Sequence, residues 1–355
     1  MLPLEGKRLL ITGGTGSLGK ILVRRLLSGE MGTPEQIVVF SRDEAKQHFM
    51  RLEYMQQKTA TDEVIYRNFQ NLLTFRIGDV RDFHSISSAL REIDVVFSAA
   101  ALKQVPTCEY FPYEAVRTNI EGPENIVRAI RELSLPIETV IGISTDKAAK
   151  PINVMGMTKA IQERIFTRAN IECSNTRFVC VRYGNVLASR GSVIPLFHEQ
   201  IHNGGPVTLT DRSMTRFLMS LDEAVDIIFA AVHEANPGET YIPQMPSARI
   251  IDLATVLIGD RPIEIQELGV RPGEKMHEIL ISEEGIRRTI ERGNYYVVLP
   301  ILPEIRQQDL PAEPILNEEY SSANNIITVD ELRDLLRQRK LLVEDQTIYD
   351  GELLR

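Results

Sequence analysis

Cysteine is scarce: Cys108, Cys173 and Cys180 are the only three in 355 residues. Their number and spacing fit neither a disulfide framework nor a zinc site, so they read as reduced packing residues in a cytoplasmic chain. Long apolar runs are missing as well. No stretch approaches the ~20 residues a membrane helix needs, and the start of the chain carries no signal-peptide core. Positive charge is in deficit. A formal net charge of −9 argues against a general nucleic-acid binder, while leaving room for a local basic pocket. The six histidines are scattered, and only His277 lies near a motif, so none is assigned to a metal or to catalysis. With 43% hydrophobic and 25% charged residues the composition is that of a folded protein rather than a disordered one.

What is present is an alternation of strand and helix patterns. Arg8–Thr12, Ile37–Ser41, Leu73–Ile77, Asp94–Ala99 and Thr139–Ser144 are short, β-branched and almost continuously apolar, as in a parallel sheet covered on both faces. Arg177–Arg182 reads as a sixth strand. Helical patterns lie between and after them: Leu18–Leu27, Arg42–Gln56, Tyr113–Glu132, Val154–Ala169, and Leu221–Glu234 with Ser220 as its cap. Such repetition specifies an α/β fold, a Rossmann-type doubly wound parallel sheet. Past Tyr183 glycine and proline become frequent and the alternation stops, which marks a smaller substrate-binding lobe. The expected division is 1–182 plus 219–247 for the dinucleotide-binding domain, and 183–218 plus 248–355 for the lobe and tail. Pro300–Pro314 reads as a connector. Thr328 with Glu331 forms a capping-box pattern that opens a last helix toward Gln338.

The run Thr12-Gly13-Gly14-Thr15-Gly16-Ser17-Leu18-Gly19 sits between the first strand and the first helix. Gly13, Gly16 and Gly19 permit a tight turn, close approach of backbone to a pyrophosphate and close helix–strand packing, with the helix N-terminus facing the phosphates. Thr15, Ser17 and Leu18 complete the loop. An enzyme using NAD usually ends its second strand in an acid that binds the ribose 2′-hydroxyl. Here the strand ends Phe40-Ser41-Arg42-Asp43, with Lys46 one turn on. Ser41, Arg42 and Lys46 can converge on a 2′-phosphate, so NADP is favoured over NAD, although Asp43 could serve NAD and Ser41 could merely cap a helix. Asp79 and Val80 follow the third strand, where they would border the adenine. Ala99, Ala100 and Ala101 offer small side chains beside the cofactor, and Asn119 opens a later contact region with Lys103 nearby.

The fifth strand ends Ser144-Thr145-Asp146-Lys147, and Met155-Gly156-Met157-Thr158-Lys159 follows on a helix, where a spacing of four puts Met155 and Lys159 on one face. Add Ala101-Leu102-Lys103-Gln104-Val105-Pro106 and Arg271-Pro272-Gly273-Glu274-Lys275, and the chain resembles the inverting UDP-N-acetylglucosamine 4,6-dehydratases of bacterial polysaccharide and flagellar sugar synthesis, which are extended short-chain dehydrogenases. The resemblance runs from about residue 5 to about residue 300. It implies transient oxidation of the sugar at carbon 4, elimination of water across carbons 5 and 6, hydride return to carbon 6, and inversion at carbon 5. Thr145 lies with the catalytic group, and the chemistry of the implied reaction assigns the other roles: Lys147 is the candidate base at carbon 5, its pKa lowered by desolvation and by the nearby cationic nicotinamide, and Asp146 the acid at the 6-hydroxyl if burial raises its pKa. The family's usual Tyr is replaced by Met155, as in its capsule-type branch. A thioether cannot take a proton, so Lys159 becomes the candidate base for the 4-hydroxyl, with Tyr183 as the alternative.

The resemblance places Lys103, Asn185 and Val193 beside the sugar nucleotide, Arg216 and Arg271 on its diphosphate, and Glu274 on the uridine ribose. Each of these could instead be a surface ion pair or a helix cap, since such residues are common on any surface. Two other functions compete. A nucleotide-sugar 4-epimerase shares oxidation at carbon 4 but has no use for the Asp146-Lys147 pair, and a non-catalytic NADP-binding regulator would need neither. A homo-oligomer is implied by resemblance.

Overall fold

The computed structural model describes residues 2–56, 63–187, 192–269 and 273–345. Six strands, β1 (Arg8–Thr12), β2 (Gln36–Ser41), β3 (Leu73–Ile77), β4 (Val95–Ser98), β5 (Thr139–Thr145) and β6 (Arg177–Tyr183), run parallel in the order β3-β2-β1-β4-β5-β6. The direction of winding reverses between β1 and β4, and an α/β sheet opens its ligand crevice at the carboxyl ends of the strands at such a point. The sheet is a Rossmann-type doubly wound one. Its central strands are buried on both faces because helices pack on each side, which is why their sequences are continuously apolar rather than alternating.

Helix α1 (Ser17–Leu27) turns Leu22, Val23, Leu26 and Leu27 to the sheet at helical spacing. The helix Leu221–Glu234 starts at Ser220 in a complete capping box with Glu223, and Val329–Gln338 does the same from Thr328 and Glu331. Several helices were not read from the sequence, among them Glu63–Leu72, Phe83–Ala89 and Val105–Tyr110 in the sheet region and Val193–His202 and Ile250–Ile258 beyond it. The expected helix Tyr113–Glu132 is interrupted. It divides into Pro112–Val116, a widened π turn at Arg117–Glu121, and Gly122–Leu133. Pro123 has no N–H to give and its ring crowds the carbonyl four residues back, so the ladder opens just before it.

Beyond β6 the strand Thr240–Pro243 continues the sheet in parallel, and the hairpin Thr289–Arg292 with Tyr295–Val298 closes that edge antiparallel. This hairpin comes from the stretch that the sequence pattern gives to the lobe, yet its strands join the central sheet. The smaller lobe has its own core around Ile194, Phe197, Leu253, Leu257, Leu332 and Leu336. Short two-stranded pairs stitch it together, including Thr215–Phe217 with Ser247–Arg249. No helix among the described residues is long and apolar enough to cross a membrane.

Candidate active site

The glycine loop is shaped by what a side chain would strike. Gly13 has φ +67°, and a Cβ there would lie 2.9 Å from the Ala100 backbone. A Cβ on Gly19 would lie 2.5 Å from Gly14 Cα, so the glycines let α1 settle onto the loop. Gly16 caps α1 without a side-chain hydrogen bond, and the first turn holds no acid. That leaves the positive end of the helix dipole with donors available for phosphate. Thr15 is buried in the loop, with Ser17 and Leu18 beginning the helix. Thr12 Oγ1 accepts the N–H groups of Ala99 and Ala100 at 3.1 and 3.2 Å, tying β1 to the small residues that end β4. Ala101 follows them.

At the end of β2 the expected convergence is only partial. Ser41 is buried and its hydroxyl accepts from Gln47 Nε2 at 3.1 Å. Arg42 is half exposed, with its guanidinium 3.7 Å from Asp79. Lys46 instead pairs with Asp43 at 2.7 Å, an ion pair that holds the Asp43 carboxyl below the usual range. Arg81, which the sequence reading passed over, grips Asp79 with two nitrogens at 2.7 and 2.8 Å and reaches Glu114 at 2.7 Å. Burial alone would raise the Asp79 pKa, but Arg81 and Arg42 bring it down. Arg42, Arg81, Leu102, Thr107, Phe111 and Thr118 line a cleft of about 210 Å³. Val80 is buried beside it in the sheet core. Asn119, in the π turn, accepts from Leu102 N–H at 2.8 Å and donates to Leu102 O and Thr158 Oγ1, so it fixes the loop that carries the exposed Lys103.

The chemistry-bearing groups gather where β5 ends. Thr145 Oγ1 donates to Asp146 Oδ1 at 2.8 Å and caps a short turn over Asp146–Ala148. Asp146 is 1% exposed, and its Oδ2 is buried with no hydrogen-bond partner among the described residues. Lys147 Nζ lies 3.1 Å from Asp146 Oδ1, 3.2 Å from Asn185 Oδ1 and 3.2 Å from Glu278 Oε1. Arg216 Nε is 3.8 Å from the same Glu278 oxygen, with its Nη1 donating to the carbonyls of Thr215 and Met276. The expected lowering of the Lys147 pKa does not occur. Burial does push it down, but Asp146 and Glu278 on either side raise it further, so the resting side chain is an ammonium.

The helix Val154–Glu172 packs on this turn. A Cβ on Gly156 would stand 2.2 Å from the Lys147 carbonyl, so glycine there allows the approach. Met155 is buried in a small apolar cluster with Cys108 and Ala115. Lys159 is buried on the same helix, donates to Gln162 and has its pKa lowered to about 8 by burial. Burial raises the Tyr183 phenol. Elsewhere Glu274 accepts from Thr210 Oγ1 at 3.2 Å, and Val193 begins the helix Val193–His202. Arg271 lies outside the described residues. Glu278, like Arg81, is a residue that sequence reasoning missed. Its signal was weak: one more acid four residues past Glu274, brought to the site only by the lobe's folding.

Fold, glycine loop and strand-end cluster together define an extended short-chain dehydrogenase, the fold shared by nucleotide-sugar dehydratases and epimerases. The model of the family described as "Polysaccharide biosynthesis protein" matches residues 9–300, and the chain belongs to that family. It is 45% identical over 307 residues to the "Uncharacterized membrane protein MJ1061" of Methanocaldococcus jannaschii, covering 83% of this chain and 86% of that one. It is 41% identical over 340 residues to the "UDP-glucose 4-epimerase" of Rickettsia rickettsii, covering 93% and 95%. The X-ray structure of Pen from Bacillus thuringiensis, 35% identical, superposes with a TM-score of 0.84 over 96% of this chain and 99% of that one.

Proposed function

We propose that the chain is an NADP-dependent 4,6-dehydratase of a nucleotide sugar, UDP-N-acetylglucosamine, inverting carbon 5. The observation that carries this reading is the pair of buried Asp146 and part-buried Lys147 at the end of β5, with one carboxylate oxygen left unpartnered among the described residues. Oxidation at carbon 4 alone needs no acid and base of this kind; elimination needs both. The residues at the crevice fit a dinucleotide. Gly13, Gly16 and Gly19 form a cradle that any Cβ would narrow, α1 presents an uncapped N-terminus, and Arg42 and Arg81 face a cleft. Ser41, Arg42 and Lys46 would hold a 2′-phosphate, Lys46 by leaving Asp43. Asp79, Val80, Ala99 to Ala101, Lys103, Asn119 and Lys159 would line the rest. A nicotinamide dinucleotide bound there would supply the redox chemistry, accepting hydride from sugar carbon 4 and giving it back at carbon 6.

The chain's own groups supply the proton transfers. Lys159, close to neutral at mildly alkaline pH, takes the 4-hydroxyl proton that Met155 cannot accept. At rest Lys147 is an ammonium, held so by the carboxyl groups of Asp146 and Glu278, and elimination needs it neutral. One proton moving the 3.1 Å from Lys147 Nζ to Asp146 Oδ1 leaves an amine beside a carboxylic acid. The amine then removes the carbon 5 proton, which the carbon 4 ketone has acidified, and the acid protonates the departing 6-hydroxyl. One proton and one hydroxide leave the sugar as water, and the pair returns to its resting charges. Inversion follows when carbon 5 regains a proton on its other face while carbon 6 takes back the hydride removed from carbon 4, so that the whole conversion is redox-neutral. Asn185, Val193, Lys103 and Glu274 would border the substrate, and Arg216 and Arg271 its diphosphate. Half-exposed Met157 and Ile161 on the helix Val154–Glu172 support a homo-oligomer.

A second reading is a UDP-sugar 4-epimerase, favoured by the name of the Rickettsia relatives. Mass spectrometry after incubation with UDP-N-acetylglucosamine and NADP+ separates the two. Loss of 18 mass units, about one water, supports the dehydratase. A new sugar of unchanged mass overturns it in favour of the epimerase.

A further inference from the structure

Glu278 enters the site from the lobe and no motif of the sequence claims it. Its side chain is 3% exposed, with Oε1 3.2 Å from Lys147 Nζ and 3.8 Å from Arg216 Nε. Its second oxygen, Oε2, is buried without a hydrogen-bond partner among the described residues. The backbone is clamped on both sides of the peptide. Glu278 N–H donates to Ser322 Oγ at 2.9 Å, and Ser322 N–H donates to Glu278 O at 2.8 Å. Ser322 Oγ in turn meets Thr215 Oγ1 at 2.7 Å, and that hydroxyl meets His277 Nδ1 at 2.8 Å. A polar chain across three segments therefore sets where this carboxylate stands.

An ammonium has three N–H groups, and Lys147 faces three oxygens: Asp146 Oδ1, Asn185 Oδ1 and Glu278 Oε1. A neutral amine would turn its lone pair toward one of them. The other charges around Lys147 are Arg216 and Lys275, with Arg182 beyond Asp146. Removing Glu278 would leave two carboxylate charges reduced to one against those cations. We propose that Glu278 is a positioning residue: its buried carboxylate completes the triangle of oxygens around Lys147 and keeps the proton there until Asp146 takes it. Resting on the dehydratase reading, this makes Glu278 a brake on the internal proton transfer. The lysine stays loaded in the resting site, and the acid–base pair is armed when substrate changes the local field.

The test needs neither substrate nor cofactor. Lys147 is 18% exposed, so trace acetic anhydride can reach it, and peptide mass spectrometry reads its labelling against pH. Only the neutral amine reacts. Glu278→Gln is expected to raise labelling at pH 9 about tenfold, one pKa unit, over the parent. Glu278→Asp keeps the charge and is expected to stay within about threefold of the parent. Equal labelling in parent and Glu278→Gln overturns the proposal, as does Glu278→Asp labelling like Glu278→Gln, which would make the effect one of packing. Where Glu278→Gln does not fold, Ser322→Ala releases the clamp and is expected to raise labelling about threefold; no change overturns the proposal. A labelling shift as expected, with no loss of water from UDP-N-acetylglucosamine in the parent, removes the dehydratase reading and leaves the role of Glu278 standing.

Discussion

Arg42 stands half exposed with its guanidinium toward Asp79, while Lys46 is committed to Asp43. The choice between cofactors therefore rests on Arg42 more than on Lys46. Arg42→Ala is expected to weaken NADP+ binding by about 1–3 kcal/mol, the range of a charged hydrogen bond, and to leave NAD+ almost unchanged. Equal losses for both in a calorimetric titration would remove the 2′-phosphate assignment. Lys159 has a sharper signature. Burial lowers its pKa to about 8, and a base must be neutral to accept a proton. Turnover should fall as pH drops through about 8 and level off above it. Lys159→Met should lose this limb and the oxidative step while still binding NADP+, whereas Tyr183→Phe should keep both. A Tyr183→Phe variant that fails instead identifies the phenol as the base. These roles were legible as residue types at the right spacing, but not as protonation states. The raised pKa of Lys147 comes from Asp146 beside it and also from Glu278, which lies 131 residues further along the chain and reaches the site only through the fold.

Between the helix Val154–Glu172 and the turn at Asp146–Ala148 the approach is close enough to need a glycine. In a helix interior Gly→Ala normally stabilises by about 1 kcal/mol, through propensity alone. At Gly156 the sign reverses, because the added Cβ would sit 2.2 Å from the Lys147 carbonyl, and a backbone atom cannot swing aside as a flexible side chain can. Gly156→Ala should cost about 1–3 kcal/mol in urea denaturation, as overpacked cores do, and should cut product formation by displacing Lys147. Dinucleotide binding should survive, since the Gly13–Gly19 loop lies elsewhere; unchanged stability would refute the close approach. Elements of this kind were readable where local chemistry speaks. The strands of the parallel sheet came from continuous β-branched runs, the helix at Leu221 from its Ser220 cap and the helix at Val329 from its capping box. The π turn at Arg117–Glu121 was not, because a proline's effect on the preceding turn depends on whether the helix continues through it. Phe83–Ala89 and Val105–Tyr110 are too short for a periodicity to register.

At the scale of the molecule, the sequence pattern separates a dinucleotide domain from a lobe, but the chain crosses between them more often than a pattern can show. The hairpin Thr289–Val298 follows lobe segments, yet pairs with Thr240–Pro243 in the central sheet. Edge pairing of this sort is set by backbone register and tertiary contact, and nothing local distinguishes it from a free hairpin. One side chain makes the attachment specific. Arg292 donates to both oxygens of Glu239, at 2.8 and 3.0 Å, and to Tyr241 Oη at 2.5 Å. Glu239 is 1% exposed, and its remaining partners are the main-chain and side-chain nitrogens of Asn236. Removing the arginine takes away the only cation hydrogen-bonded to this buried carboxylate among the described residues and leaves Arg177 as a more loosely coupled charge, which costs on the order of 3 kcal/mol. Arg292→Ala should therefore lower stability far more than Arg337→Ala, whose pair with Asp334 lies at the surface and is worth little. The chain has no tryptophan, so tyrosine fluorescence and far-ultraviolet circular dichroism are the two probes. Their urea transitions should coincide in the parent, because the hairpin makes sheet and lobe one cooperative unit. In Arg292→Ala the tyrosine transition, with Tyr241, Tyr295 and Tyr296 at this edge, should come first. If both probes shift together by as little as in Arg337→Ala, the hairpin is a decoration on the sheet and the joint between sheet and lobe lies elsewhere.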